Sequence, residues 1–152
     1  MSCEDCLNRR AFLAKGAAAA AAAIAVGCGN GVFGPPLPAH GAGSLPSGSL
    51  VITVSQFPDL ATTDKLVQVD LERAVKRTGP DAFLALSTIC THQGCDAEVT
   101  TSNIIQCPCH GSRFDDNGNV INGPNGASPN SISPLAHLST SYDPQTDKLT
   151  IG

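Results

Sequence analysis

Two short segments carry most of the residues able to do unusual chemistry: Cys90-Thr91-His92-Gln93-Gly94-Cys95 and Cys107-Pro108-Cys109-His110-Gly111-Ser112. Each offers cysteines, one histidine and a glycine. Thiolate sulfur and neutral imidazole nitrogen are the soft and borderline donors that hold iron-sulfur clusters or zinc, and glycine lets a backbone turn closely around a metal. Metal binding follows from the residue types, and the choice of metal stays open at this point. A zinc ion would be satisfied by Cys90, His92, Cys107 and His110 in a tetrahedral Cys2His2 set, which leaves Cys95 and Cys109 without a role.

Something must position these loops. Beyond residue 48, short segments rich in Val, Ile, Leu and Thr recur: Leu50 to Ser55, Leu66 to Asp70, Phe83 to Ser87, Asn103 to Gln106, Leu138 to Tyr142 and Leu149 to Ile151. They read as strands. Turn-forming clusters separate them, at Thr78-Gly79-Pro80-Asp81, Asp116-Asn117-Gly118-Asn119 and Asp143-Pro144-Gln145-Thr146-Asp147, the last two each suiting a hairpin connection. Leu71 to Arg77 alone hints at helix. The expected domain, residues 49–152, is all-β and antiparallel, with the metal loops and their cover within 88–126. With no Trp, one Tyr and five Phe, a large aromatic core is excluded, and the seven cysteines suggest disulfides or a metal as the reinforcement. The net charge of -4, with its charges scattered, excludes the basic face that nucleic acid requires. His137, in an expected strand with no cysteine nearby, reads as a structural or surface histidine.

The chain before the domain has a different character. Arg9-Arg10-Ala11-Phe12-Leu13-Ala14-Lys15 precedes an apolar run from Ala17 to Val26. The pattern resembles a twin-arginine export signal, with Ala14 inserted before the lysine. The apolar run is short of the roughly 20 residues a bilayer span needs, so residues 1–28 are expected to be a signal or an anchor. Ala25-Val26-Gly27-Cys28 resembles a lipoprotein cleavage site with possible lipidation at Cys28, while Ala23-Ile24-Ala25 equally suits ordinary signal cleavage. Cys3 and Cys6 lack the strand-helix setting of a redox motif and read as incidental. Residues 29–48, dominated by Gly, Pro, Ser and Ala, are expected to form a flexible linker, with His40 a solvated side chain within it.

Taken together, Cys90-Thr91-His92-x-Gly94-Cys95 and Cys107-Pro108-Cys109-His110-Gly111-Ser112 resemble the two cluster-binding loops of Rieske iron-sulfur proteins. The resemblance implies one 2Fe-2S cluster with Cys90 and Cys107 on one iron and His92 and His110 on the other, and a disulfide between Cys95 and Cys109. It also implies an antiparallel Rieske fold of sandwich or barrel type with a small cluster-binding subdomain. In the family, Ser112 stands where a hydroxyl reaches a bridging sulfide. Phe114 stands where high-potential members carry a tyrosine bonded to a ligand cysteine. Gly123-Pro124-Asn125 resembles the Gly-Pro loop that covers the cluster, altered from the usual Gly-Pro-Ala.

Charge counting supports such a ligand set. Two ferric ions, two sulfides and two thiolates sum to zero, whereas four thiolates would leave the oxidised cluster at minus two, so reduction is easier and the potential falls within about -150 to +300 mV. The remaining N–H of a metal-bound histidine is acidified, so an electron can arrive together with a proton. A Cys95–Cys109 bridge, closing about 14 residues, would contribute roughly 3 kcal/mol on the chain-entropy model. Such a bridge suits an oxidising compartment, and export of a folded, loaded protein by the twin-arginine route reconciles it with cytoplasmic cluster assembly. The resemblance implies one-electron transfer as a subunit of a membrane-associated quinol-oxidising complex, with cytochrome b-type or cytochrome c partners. The alternative is the small subunit of a periplasmic oxidoreductase of the arsenite oxidase type, fed by a molybdenum subunit. An oxygenase component would need a second iron domain, for which a chain of 152 residues is not expected to have room.

Overall fold

The computed structural model describes residues 40–152. The signal or anchor segment expected over 1–28, with Cys3, Cys6 and Cys28, and most of the linker lie outside the described residues. Among the described residues eleven strands follow one another: β1 (Leu50–Thr53), β2 (Leu66–Gln68), β3 (Arg73–Arg77), β4 (Phe83–Ser87), β5 (Glu98–Val99), β6 (Ile105–Gln106), β7 (Arg113–Phe114), β8 (Val120–Asn122), β9 (His137–Leu138), β10 (Thr140–Asp143) and β11 (Lys148–Ile151). Among the described residues the helical turns are all short 3-10 pieces. Pairing is antiparallel throughout three sheets, ordered β1-β11-β10, β2-β3-β4-β9 and β5-β6-β7-β8.

The middle sheet is buried on both faces, as the period-2 alternation of a strand allows. Val75 and Ala85 point one way, into a core with Ile52, Val54, Leu60, Leu149 and Ile151 from the base. Ala74 and Leu86 point the other way, into a core with Ala97, Ile105, Phe114, Cys90 and Cys107. The small sheet carrying the metal loops therefore rests on the back of a sheet that is itself clamped from below. With strands of only two or three residues, it could not be stable without that support.

β3 corrects the expectation of helix over Leu71 to Arg77. Within it Arg73 and Lys76 are each only 5% exposed, because each finds partners. Arg73 donates to Asp70 (2.8 Å) and Lys76 to Asp116 (2.8 Å) and Asn117 (3.0 Å). Arg77 donates to the Leu60 carbonyl and lies 4.6 Å above the Phe83 ring. Lys76 ties the middle sheet to the β7–β8 hairpin. We expect Lys76→Ala to strand the Asp116 carboxylate and to lower unfolding stability by about 2 kcal/mol in chemical denaturation; an unchanged midpoint would refute this.

The two expected hairpins are present, with β7–β8 turning at 115–119 and β10–β11 at 144–147. The expected strand over Leu138 to Tyr142 divides at Ser139, whose backbone bonds instead to Gly152.

Candidate metal centre

The two cysteine-histidine loops make the same turn. In the first, the Cys90 N–H donates to the Cys95 carbonyl (2.8 Å) and the Gly94 N–H donates back to the Cys90 carbonyl (2.8 Å). In the second, the Cys107 N–H donates to the Ser112 carbonyl (2.9 Å) and the Gly111 N–H to the Cys107 carbonyl (3.0 Å). Each turn closes through a glycine four residues after its cysteine, with φ of 75° at Gly94 and 72° at Gly111, a region glycine enters without the strain a side chain brings. The equal spacing from Cys90 to Gly94 and from Cys107 to Gly111 was the sequence signal for this repeat. The histidine sits at the second position after the cysteine in one loop and the third in the other.

The fold brings the expected residues together. Cys90 and Cys107 are free, 1% exposed and hydrogen-bonded to one another. The His92 and His110 rings meet edge to face with centroids 4.8 Å apart. Cys95 and Cys109 form the expected disulfide, which joins the two loops. The Cys107 sulfur lies within 4.8 Å of both bridged sulfurs. Those have no thiolate to donate, so the bridge is a wall of the site.

Electrostatics distinguish the two free thiols. The hydrogen bond with Cys107 lowers the Cys90 thiol to about 6 against the opposing effect of burial, helped by the backbone N–H groups of His92 and Gln93 and by Ser112. The same bond with Cys90, together with burial, pushes the Cys107 thiol well above its ordinary value, opposed by the N–H groups of Cys109 and His110. The pair thus releases one proton readily and holds the second. A cation seated between the sulfurs would stabilise the doubly deprotonated state.

Two more buried groups lack ordinary partners. His110 Nδ1 is buried with no hydrogen bond, and Ser112, fully buried, has no partner of normal geometry for its hydroxyl, which instead favours the Cys90 thiolate. Buried polar atoms are rarely left so unless something else satisfies them. Free thiols, facing imidazoles and an orphaned ring nitrogen are a donor set that fits a thiolate- and imidazole-bound iron cluster. Phe114 is wholly buried in the same core as Cys90 and Cys107.

The Gly-Pro segment is tied to the second loop, and the chain after it, at Ser133, to the first. The Asn125 N–H donates to the His110 carbonyl (2.6 Å), and the Thr91 hydroxyl to the Ser133 carbonyl (2.6 Å). A Cβ on Gly123 would come within 2.0 Å of Ser131 Oγ, which accounts for glycine before Pro124. Neither tie was legible in the sequence, since both run through backbone atoms. His137 lies apart from the loops, with Nε2 3.0 Å from the Asn117 carbonyl oxygen.

The Rieske [2Fe-2S] domain model matches residues 49–138, more than half of the chain. The chain belongs to that family, whose cofactor is a 2Fe-2S cluster. It is 38% identical over 78 residues to the cytochrome b6-f complex iron-sulfur subunit of Nostoc punctiforme, a match spanning 51% of this chain and 38% of that one. It is 41% identical over 70 residues to the cytochrome b6-f complex iron-sulfur subunit 1, cyanelle, of Cyanophora paradoxa, spanning 45% and 28%. The chain thus spans well under half the length of these relatives. Among solved structures, the cyanobacterial plasma membrane Rieske protein PetC3 from Synechocystis PCC 6803 is 26% identical, with a TM-score of 0.42, covering 53% of this chain and 75% of that one.

Proposed function

We propose that Cys90 and Cys107 hold one iron of the cluster and His92 and His110 the other, and that the domain relays single electrons within a membrane-associated quinol-oxidising complex. The observation that carries the ligand set is the repeated turn, which sets two free thiols and two imidazoles side by side while the other two cysteines of the loops are consumed in a bridge. When bound, the cluster supplies a one-electron acceptor whose potential is raised by imidazole in place of thiolate. The chain supplies the rest. Backbone N–H groups at positions 92, 93, 109 and 110 point at the thiolates and stabilise their charge. The half-buried histidines retain a ring nitrogen for a proton that accompanies the electron.

The relatives named as cytochrome b6-f subunits support the quinol-oxidising setting over a molybdenum partner. Residues 1–28 would direct the folded domain through the twin-arginine route and tether it at the periplasmic face, by retention or by lipid on Cys28, with a cytochrome b-type subunit and cytochrome c as redox partners. Among the described residues no helix is long and apolar enough to cross a membrane. Reduction of the chain by quinol in membranes supports this setting; co-purification with a molybdenum subunit and no response to quinol would replace it.

Potential should follow the hydrogen bonds around the sulfurs. Ser112→Ala removes a donor and should lower the midpoint by roughly 60 mV, the equivalent of about 1.4 kcal/mol for one electron. Phe114→Tyr should raise it by a similar amount, giving the wild type an intermediate value. Redox titration checks both, and a midpoint that moves in neither variant sinks the assignment.

The metal loops themselves and the chain that follows Pro124 as far as Tyr142 carry no charged side chain. No Asp, Glu, Lys or Arg occurs from 88 to 95, from 104 to 112, or from 117 to 142. Electron exchange with hexacyanoferrate should therefore vary less than about twofold between about 0.05 and 0.2 M salt, whereas Gln93→Lys should make it fall steeply. A steep wild-type slope would mean that electrons leave by another face.

A further inference from the structure

We infer that residues 40–48 form a strap that carries the chain from the base of the domain to the first metal loop, with His40 as the positioning residue that docks it. The strap is clamped at both ends. At its C-terminal end, Arg73 Nη2 donates to the Ser47 and Gly48 carbonyls (3.0 and 2.6 Å), with the guanidinium oriented by Asp70. At its N-terminal end, the His40 N–H donates to the Gly94 carbonyl (3.3 Å). The His40 imidazole Nε2 lies 3.2 Å from Glu72 Oε1 and 3.4 Å from Asp96 Oδ1. Asp96 Oδ1 is buried with no hydrogen-bond partner, and the His40 ring is the basic group set beside it. Between the clamps, the Ser44 N–H closes a turn on the Gly41 carbonyl.

The fit against the metal loop is close. A Cβ on Gly94 would lie 1.9 Å from the His40 carbonyl oxygen, so glycine at 94 serves both the turn and the approach of the strap. The carboxylates that receive His40 belong to separate elements: Glu72 precedes β3, and Asp96 pairs with Ile89 across the base of the loop. Arg73 Nη1, 3.9 Å from Glu72 Oε2, completes the charged group. His40 is thus one-quarter exposed, not the solvated linker side chain its composition suggests.

The functional consequence concerns the tether and rests on the electron-carrier reading above. With the strap docked, the described chain enters the domain at His40, beside the loop that bears Cys90 and His92. Without it, the first residues held by the domain would be those of β1 in the base sheet. Force on the tether would then reach Gly94, whose N–H holds the Cys90 carbonyl.

Hydrogen exchange on the full chain tests the docking. In the wild type, the hydrogen-bonded amides at positions 40 and 44 should exchange at least about tenfold more slowly than in the free peptide. His40→Ala and the double variant Glu72→Gln/Asp96→Asn should each abolish that protection while β3 and β4 stay protected. His40→Lys, which keeps a basic side chain facing the two carboxylates, should restore it. Free-peptide exchange in the wild type overturns the strap. Protection that survives both His40→Ala and the double variant, or that His40→Lys fails to restore, overturns the role of His40. The exchange is read with or without iron, so a chain that binds no cluster would defeat the electron-carrier reading and leave the strap standing.

Discussion

Cys107→Ser should purify colourless, with iron falling from two per chain to less than about 0.2. The residue stands at the centre of the site: it is 1% exposed, shares a proton with Cys90 and lies against the bridge. Serine has nearly the same volume, so the two loops can still close and the Cys95–Cys109 bond can still form. What is lost is a thiolate, and with it the strongest donor on that side. Iron assay and visible absorbance read the outcome, and far-UV circular dichroism checks that the sheets survive. A variant that keeps two irons and the wild-type spectrum would remove Cys107 from the ligand set. His110→Cys separates the cluster from zinc. It should retain iron with electron paramagnetic resonance shifted toward that of all-cysteine clusters, whereas a colourless wild-type protein holding zinc would overturn the cluster assignment outright.

The second large effect is expected from the bridge. Cys95 and Cys109 are 14 residues apart in sequence and close a loop that contains the β5–β6 hairpin. Removing that closure in Cys95→Ser/Cys109→Ser should lower unfolding stability by about 3 kcal/mol. The reason is general, because the cross-link restricts the unfolded chain more than the folded one. The local consequence is sharper. Besides the bridge, the loops meet through the Cys90–Cys107 hydrogen bond and the facing histidine rings, and indirectly through Ser133 and Asn125, which bond to Thr91 and His110. Iron loss on dilution should therefore accelerate in the double variant. Guanidinium denaturation and iron release measure the two effects, and wild-type protein treated with dithiothreitol should match the variant. An unchanged denaturation midpoint would show that the bridge adds nothing to the sheet contacts.

Most of the site was legible in the sequence because its chemistry is local. The donors lie within two six-residue turns, and each turn is closed by a glycine at a fixed distance from its cysteine. Short apolar segments such as Phe83 to Ser87 and Leu149 to Ile151 were legible as strands for the same reason. β3 was not. Its charged side chains are neutralised by partners as far away as Asp116 and Asn117, and nothing within the segment announces them. The two-residue strands β5 and β7 were equally silent, since so few residues hold their shape only through their neighbours.

His40 makes the division plain. By itself the sequence determined which donors exist, how each loop turns and that both loops belong to one metal-binding family, all properties of residues near one another along the chain. The tertiary structure decided that Arg73 and Lys76 are buried, that Asn125 bonds to His110 and Thr91 to Ser133, and that His40 docks beside Gly94. Those outcomes depend on charges and backbone groups meeting across tens of residues. Electrostatic and hydrogen-bond partners at that range follow from packing, and no local pattern encodes them.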